Sequence, residues 1–190
     1  MRLYLVAPGD LAPADMAAAL DAGEIGCVRL TTPNSTLRDM VQARDIACLV
    51  EGKLVAGYDG VHRQESFEKV AGDLIVGVDC GASRHLALEA AEAGAGYIAS
   101  ADADLLGWWG EMMEVPCVGE GAETPAAAGA LARLGVDFVS AGDAIWRHPD
   151  GPAAGVRAFN AGVTRSSMRM PGSSCQAYFI EWPVAAFVNR

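Results

Sequence analysis

The sequence predicts an α/β protein whose eight parallel strands close into a (β/α)8 barrel, the TIM-barrel architecture. Two observations support this. A helix-like stretch that ends in glycine, followed at once by a short β-branched or aromatic run, occurs four times, with the glycines 34, 37 and 41 residues apart. Another short apolar run lies in each interval, which brings the count to eight strands alternating with helical patterns. An open doubly wound sheet is the runner-up, because 190 residues is short for a barrel.

Each predicted element has a local signal. The repeated glycines, at which helices are expected to end in the left-handed conformation, are Gly23, Gly57, Gly94 and Gly135. Helix starts are expected at Pro13, at Ser83 and at Thr124-Pro125. The strands are expected at residues 3–7, 26–30, 47–50, 59–62, 74–78, 96–99, 115–118 and 137–140.

The third crossover is expected to be trimmed. Only about six residues separate the end of the third strand from the start of the fourth, which is too few for a helix of normal length. The pattern also changes near the end of the chain. We therefore expect a barrel domain at residues 1–163 and a C-terminal extension at 164–190 that packs on the barrel or on a partner subunit.

Composition excludes several function classes. The formal net charge is −10, from 24 acidic and 14 basic residues, which argues against nucleic acid and anionic membranes as main partners. The five cysteines are far apart and form no zinc-binding spacing, so reduced core thiols in a cytoplasmic protein are expected. No apolar run approaches the roughly 20 residues of a membrane helix, and no signal peptide is predicted.

Several segments carry a resemblance to one family. They are LYLV at 3–6, DGVH at 59–62, GVDCGASRH at 77–85, LLGWW at 105–109, EVPCV at 114–118 and GDAIWRHP at 142–149. Together they resemble the thiamine-phosphate synthase family, in a divergent bacterial branch, over roughly residues 2 to 162. The resemblance implies a (β/α)8 barrel, a homodimer and a Mg²⁺-dependent transferase. It would join a hydroxymethylpyrimidine diphosphate to a thiazole phosphate, a small phosphorylated heterocycle, and release pyrophosphate.

The resemblance also suggests site residues at the carboxyl ends of the strands, where barrel sites lie. A diphosphate leaving group needs cations to neutralise its developing negative charge. The catalytic candidates are Arg29, Lys53, His62 and Arg84. The candidates for holding Mg²⁺ are Glu51 and Asp79, because oxygen ligands suit that ion. The candidates for binding the thiazole phosphate are Gly121, Ser140 and Gly142.

The chain departs from the family pattern at four of these strand ends, and after the third strand the pattern Asn-Asp-Arg falls where the chain is cut short, at residues 51–53. The pattern Gln-x-Arg-x-Lys after the second strand becomes Arg29, Thr31 and Pro33. A Thr-x-Thr-Lys phosphate loop after the sixth strand is replaced by a segment with two carboxylates, and the paired glycines after the seventh survive only as GEG at 119–121. These departures favour an alternative hypothesis of another class, a non-catalytic barrel that binds a small phosphorylated ligand or a protein partner.

Overall fold

A closed barrel of eight parallel strands forms the centre of the computed structural model, which describes residues 2–68 and 73–167. Each strand pairs in parallel with the next, and β8 pairs with β1. The strands are β1 (Arg2–Ala7), β2 (Ile25–Leu30), β3 (Ala47–Glu51), β4 (Gly60–Gln64), β5 (Ile75–Asp79), β6 (Tyr97–Ser100), β7 (Cys117–Gly119) and β8 (Phe138–Ala141). The predicted barrel is therefore confirmed, and every predicted strand lies within a few residues of an observed one.

Helices cover the outside of this barrel. They are α1 (Pro13–Leu20), α2 (Ser35–Gln42), α3 (Arg84–Glu92), α4 (Ala103–Met112), α5 (Pro125–Ala132), α6 (Asp143–Trp146) and α7 (Pro152–Ser167). Side-chain caps mark the starts of α2, α3, α4 and α5. Ser83 and Thr124 each accept a hydrogen bond from a backbone N–H three residues ahead, as predicted, and Pro13 opens α1.

The glycines that follow the helices serve two different purposes. Gly94 and Gly135 take φ values of +96° and +87° after α3 and α5, which is the expected left-handed ending. Gly23 does not adopt this conformation, so the prediction is wrong there. It lies against α7 instead, where a Cβ would meet the side-chain amide of Asn160.

The crossover between β3 and β4 is trimmed as predicted. Residues 52–59 form no helix and instead fold as a loop closed by the Gly52 N–H, which donates to the His62 carbonyl at 2.8 Å. The Asp59 carboxylate accepts a hydrogen bond from the Cys48 N–H at 2.7 Å. Tyr58 of this loop is buried against the outer core and accepts a hydrogen bond from the Asn34 N–H at 2.8 Å.

The last two helices, α6 and α7, pack against β1. The indole N–H of Trp146 on α6 donates to the Val6 carbonyl at the end of β1, at 2.6 Å. Helix α7 packs on α1 and α5 and continues to Ser167, past the predicted domain boundary at residue 163. The remainder of the predicted extension, 168–190, lies outside the described residues. Within the described part of the chain, no helix combines the length and apolarity that crossing a bilayer requires.

The barrel interior contains a short chain of polar groups. The hydroxyl of Tyr97 on β6 lies 2.7 Å from the Tyr4 hydroxyl and 2.8 Å from the Nδ1 atom of His62 on β4. The edge of the Tyr97 ring also packs on Gly77 of β5, where a Cβ would overlap it. Because these groups come from β1, β4, β5 and β6, their contacts connect both halves of the barrel.

Burial determines the charge state of His62. Its side chain is 1% exposed, and burial, with a further contribution from the Arg29 charge, lowers the pKa of His62 to about 2. The imidazole is therefore neutral at physiological pH. It can exchange hydrogen bonds with Tyr97 but cannot supply a positive charge.

The tight contact between Gly77 and Tyr97 predicts a stability loss. Gly77→Ala forces a methyl group into the Tyr97 ring and should lower the free energy of unfolding by about 1–3 kcal/mol. The matched control is Gly107→Ala in α4, where a Cβ meets only a Leu134 methyl at 3.9 Å. The control should gain about 0.5–1 kcal/mol of stability. Urea unfolding measures both variants, and equal stability of the two would contradict this packing.

The neutral His62 predicts that stability falls with acid. Its pKa is lower folded than unfolded, so the unfolded chain binds an extra proton below pH about 6.5 and stability declines toward the folded pKa. Between pH 7.5 and 5 the free energy of unfolding of the wild type should fall by about 2 kcal/mol more than that of His62→Gln. Unfolding in urea at both pH values measures this difference. The matched control is His85→Gln, at an exposed histidine of α3, which leaves the His62–Tyr97 contact in place.

Candidate functional site

Barrel closure brings the predicted charged residues to one rim. All eight strands are parallel, so their carboxyl ends share the same edge. Arg29 on β2, Glu51 on β3 and Asp79 on β5 lie at these ends, together with Glu120, which directly follows β7. The structure therefore places these four residues of the candidate site around a common opening.

Arg29 is the centre of this group. Its side chain is only 9% exposed, and its Nη1 atom donates to Glu120 Oε1 at 3.0 Å. The Glu51 Oε2 atom lies 3.9 Å from Arg29 Nε, which is too far for a hydrogen bond. The guanidinium also lies 5.6 Å from the centre of the Tyr4 ring, in cation–π distance.

The charges around Arg29 keep it protonated despite its burial. Burial alone would lower the pKa of Arg29, but Tyr4 and the Glu120 carboxylate raise it above its ordinary value. Arg29 Nε is nevertheless buried without a hydrogen-bond partner among the described residues. The carboxylate beside this atom is that of Glu51, which lies at ion-pair distance from Nε without bonding it.

Glu120 is a site residue that the sequence analysis missed as a candidate. It lies between Gly119 and Gly121, and its carboxylate is mostly buried beside Arg29. Burial raises the pKa of Glu120, while the Arg29 charge opposes that rise. A signal was available, because a charged residue between two glycines at a barrel strand end has no obvious role in a turn. Its partner could not be deduced, because Arg29 is 91 residues away.

Glu51 and Asp79 lie on the two strands that flank β4. Glu51 Oε1 accepts a long hydrogen bond of 3.4 Å from Gln64 Nε2, and Asp79 Oδ1 accepts one of 2.9 Å from the Gly81 N–H. The described residues contain no group of three carboxylate, histidine or cysteine side chains arranged to hold a metal. Mg²⁺ usually binds one or two carboxylates and completes its shell with water and phosphate. Glu51 and Asp79, as two carboxylates that end neighbouring parts of the sheet, are of the ligand type and number that this chemistry needs.

The other predicted catalytic residues, Lys53, Arg84 and His62, have other surroundings than the Arg29 group. Lys53 is exposed in the loop after β3. Arg84, the first residue of α3, lies over the Trp108 ring at 4.8 Å, and its Nη2 donates to the Asp104 carbonyl at 3.5 Å. Arg84 is thus attached to α4. His62 lies below the rim, paired in register with Glu51 and bonded to Tyr97.

The predicted phosphate-binding residues follow two adjacent strands. Strands β7 and β8 pair directly, so Gly121 and Gly142 follow neighbouring strand ends, and Ser140 is buried within β8. Gly121 has a φ of +84° and open space where a Cβ would be. A Cβ on Gly142 would approach the Val6 carbonyl to 3.1 Å. Both positions favour glycine and leave backbone exposed at the rim.

The two carboxylates that replace the family's phosphate loop have a structural role. Asp102 caps α4 by accepting a hydrogen bond of 2.7 Å from the Leu105 N–H, and Asp104 lies in the first turn of the same helix. Negative charge is favourable at a helix N-terminus. Because Asp102 occupies this N-terminus, its free N–H groups are less available to a phosphate.

Comparison with known proteins identifies the family. No protein-family model matches the chain. The chain is 40% identical to the thiamine-phosphate synthase of Rhodospirillum centenum, over 84% of this chain and 96% of that protein. It is 32% identical to the thiamine-phosphate synthase of Erythrobacter litoralis, over 83% and 93%. It is 30% identical to that of Hyphomonas neptunium, over 84% and 92%.

Solved structures show the same fold. The thiamine phosphate pyrophosphorylase of Pyrococcus furiosus superimposes with a TM-score of 0.75 at 21% identity, over 87% of this chain and 96% of that one. A 3-hexulose-6-phosphate synthase superimposes with a TM-score of 0.66 at 20% identity, over 86% and 100%. These structures show the fold alone, whereas the sequence identities of 30–40% to the thiamine-phosphate synthases show the family. The chain belongs to the thiamine-phosphate synthase family.

Proposed function

We propose that the protein forms thiamine phosphate by transferring a hydroxymethylpyrimidine group from its diphosphate to a thiazole phosphate, with release of pyrophosphate. The observation that carries this proposal is the 40% identity to a thiamine-phosphate synthase across 96% of that protein. A buried arginine with an unpaired donor at the barrel rim supports it, because such a group suits an oxygen-rich anion.

The chemical step breaks the bond between the pyrimidine methylene carbon and the diphosphate oxygen, and the electron pair leaves with pyrophosphate. The thiazole nitrogen then forms the new bond to that carbon. Catalysis consists mainly of neutralising the charge that develops on the leaving group. Arg29 is the central group for this purpose, and Lys53 and Arg84 lie on the same side of the barrel.

Glu51 and Asp79 are the residues that would hold Mg²⁺, whose chemistry is to neutralise and orient diphosphate oxygens. Their carboxylates lie on the strands next to β4, where Gln64 bonds Glu51. His62 is the fourth catalytic candidate. Since it is neutral, its role is to accept or donate a hydrogen bond below the rim, in line with Tyr97 and Tyr4.

The thiazole phosphate is assigned to the ends of β7 and β8. Gly121 and Gly142 carry no side chain, which allows a phosphate to approach the backbone closely, and Ser140 adds a hydroxyl group on β8. This places the two anionic groups of the substrates at different strand ends. Arg29 serves the diphosphate, and the backbone of the last two loops serves the phosphate.

The oligomeric state and the cellular location are part of the proposed function. We assign the protein to the cytoplasm as a homodimer. The net charge of −10 supports the absence of nucleic acid and anionic membrane as partners. The alternative of a non-catalytic barrel receives no support from the relatives, which are thiamine-phosphate synthases.

A turnover assay tests the proposed function. Purified protein with both substrates and Mg²⁺ should form thiamine phosphate, and chelation of the metal should abolish it. Arg29→Met removes the central charge and should lower kcat/KM about a hundredfold, whereas Lys53→Ala at the exposed loop should lower it about tenfold.

The matched control is Arg157→Ala, at an exposed arginine of α7, which should keep wild-type kinetics. Absence of product from the folded wild-type protein would refute the function. Wild-type rates in Arg29→Met would refute the assignment of Arg29.

A further inference from the structure

Two residues that depart from the family pattern contact each other across the rim. Arg29 stands at the glutamine position of the motif after the second strand, and Glu120 stands between the two glycines that follow the seventh strand. Barrel closure brings Arg29 Nη1 and Glu120 Oε1 to 3.0 Å. Their side chains are 9% and 18% exposed, so the pair is largely removed from water.

The pair leaves one donor of Arg29 unused. The Nε atom is buried with no hydrogen-bond partner among the described residues, and the Glu51 carboxylate is 3.9 Å away. The Glu51 carboxylate is therefore a second negative charge beside the guanidinium, at ion-pair distance but beyond hydrogen-bond distance.

The surroundings of that position oppose a bare anion. Glu120 and Glu51 flank the guanidinium, and Asp79 is close enough for its charge to raise the pKa of Glu120. Two carboxylates thus flank the one arginine, and a third, that of Asp79, adds its negative charge to the surroundings of Glu120. A polyphosphate that enters alone would meet more negative than positive charge, and burial strengthens the repulsion.

We propose that Glu120 is a specificity-determining residue, which prevents the rim from binding free polyphosphates and so restricts the Arg29 site to a diphosphate accompanied by a divalent cation. Glu120 does so by occupying Arg29 Nη1 and by adding a buried negative charge. The inference rests on the proposed function for the identity of the ligand, and it assigns to this chain a residue that selects the form in which that ligand binds.

Calorimetric titration with inorganic pyrophosphate tests the proposal, using the full chain in chelator and again in excess Mg²⁺. The wild type should bind metal-free pyrophosphate at least tenfold more weakly than the Mg²⁺ complex. Glu120→Gln removes the charge with little change in shape, and should raise affinity for metal-free pyrophosphate about tenfold. Glu120→Ala removes the same charge with a different side chain, so the result does not depend on one variant folding.

Two controls separate this effect from a general change in charge. Glu123→Gln, at an exposed glutamate three residues away, should leave both affinities unchanged. In the double variant Arg29→Met/Glu120→Gln the increase in affinity for metal-free pyrophosphate should disappear, because it requires Arg29. Thermal unfolding verifies that each variant is folded.

The proposal is overturned if the wild type binds both forms of pyrophosphate equally, or binds neither. It is also overturned if a folded Glu120 variant shows no gain, or if the gain persists without Arg29. A wild type that binds as expected but forms no thiamine phosphate would count against the proposed function and would leave the role of Glu120 intact.

Discussion

The packing of the barrel interior depends on the two hydrogen bonds that the Tyr97 hydroxyl group makes. This hydroxyl bonds Tyr4 on one side and His62 on the other, while the Tyr97 ring rests on Gly77. A buried hydroxyl without partners would be costly, so the three polar groups are stable only together. The Tyr4 ring in turn lies under the Arg29 guanidinium. The position of the principal cation at the rim therefore rests on a hydrogen-bonded chain inside the barrel.

Closure of the sheet accounts for the composition of the rim. Because all strand ends meet there, residues far apart in sequence become neighbours, and their charges must be balanced locally. Arg29 and Glu120 achieve this balance with a direct contact, while Asp102 is neutralised by the N-terminus of α4. A buried ion pair is costly to desolvate, and breaking it by removing one partner costs about 3–5 kcal/mol. The pair thus constrains how the site can change by single substitutions.

The sequence predicts the fold far better than the site, for a physical reason. Strands, the Ser83 and Thr124 caps and the trimmed third crossover depend on local patterns, so each could be assigned from neighbouring residues. The Arg29–Glu120 contact depends on closure between β2 and β7 and has no local signature. Arg84 was expected to serve the leaving group, yet its stacking on Trp108 depends on how α3 and α4 pack. The left-handed ending predicted at Gly23 is wrong because contact with α7 determines that position.

The buried cysteines can be used to detect local unfolding of the molecule. Cys27 lies inside the barrel, whereas Cys48, Cys80 and Cys117 lie between sheet and helices. Burial raises the pKa of each of these three thiols to about 12, so the reactive thiolate is scarce at neutral pH. Alkylating reagents should therefore modify these four sites only in molecules that have opened. Mass spectrometry of each labelled peptide would then distinguish detachment of the helical layer from exposure of the lumen, without any denaturant.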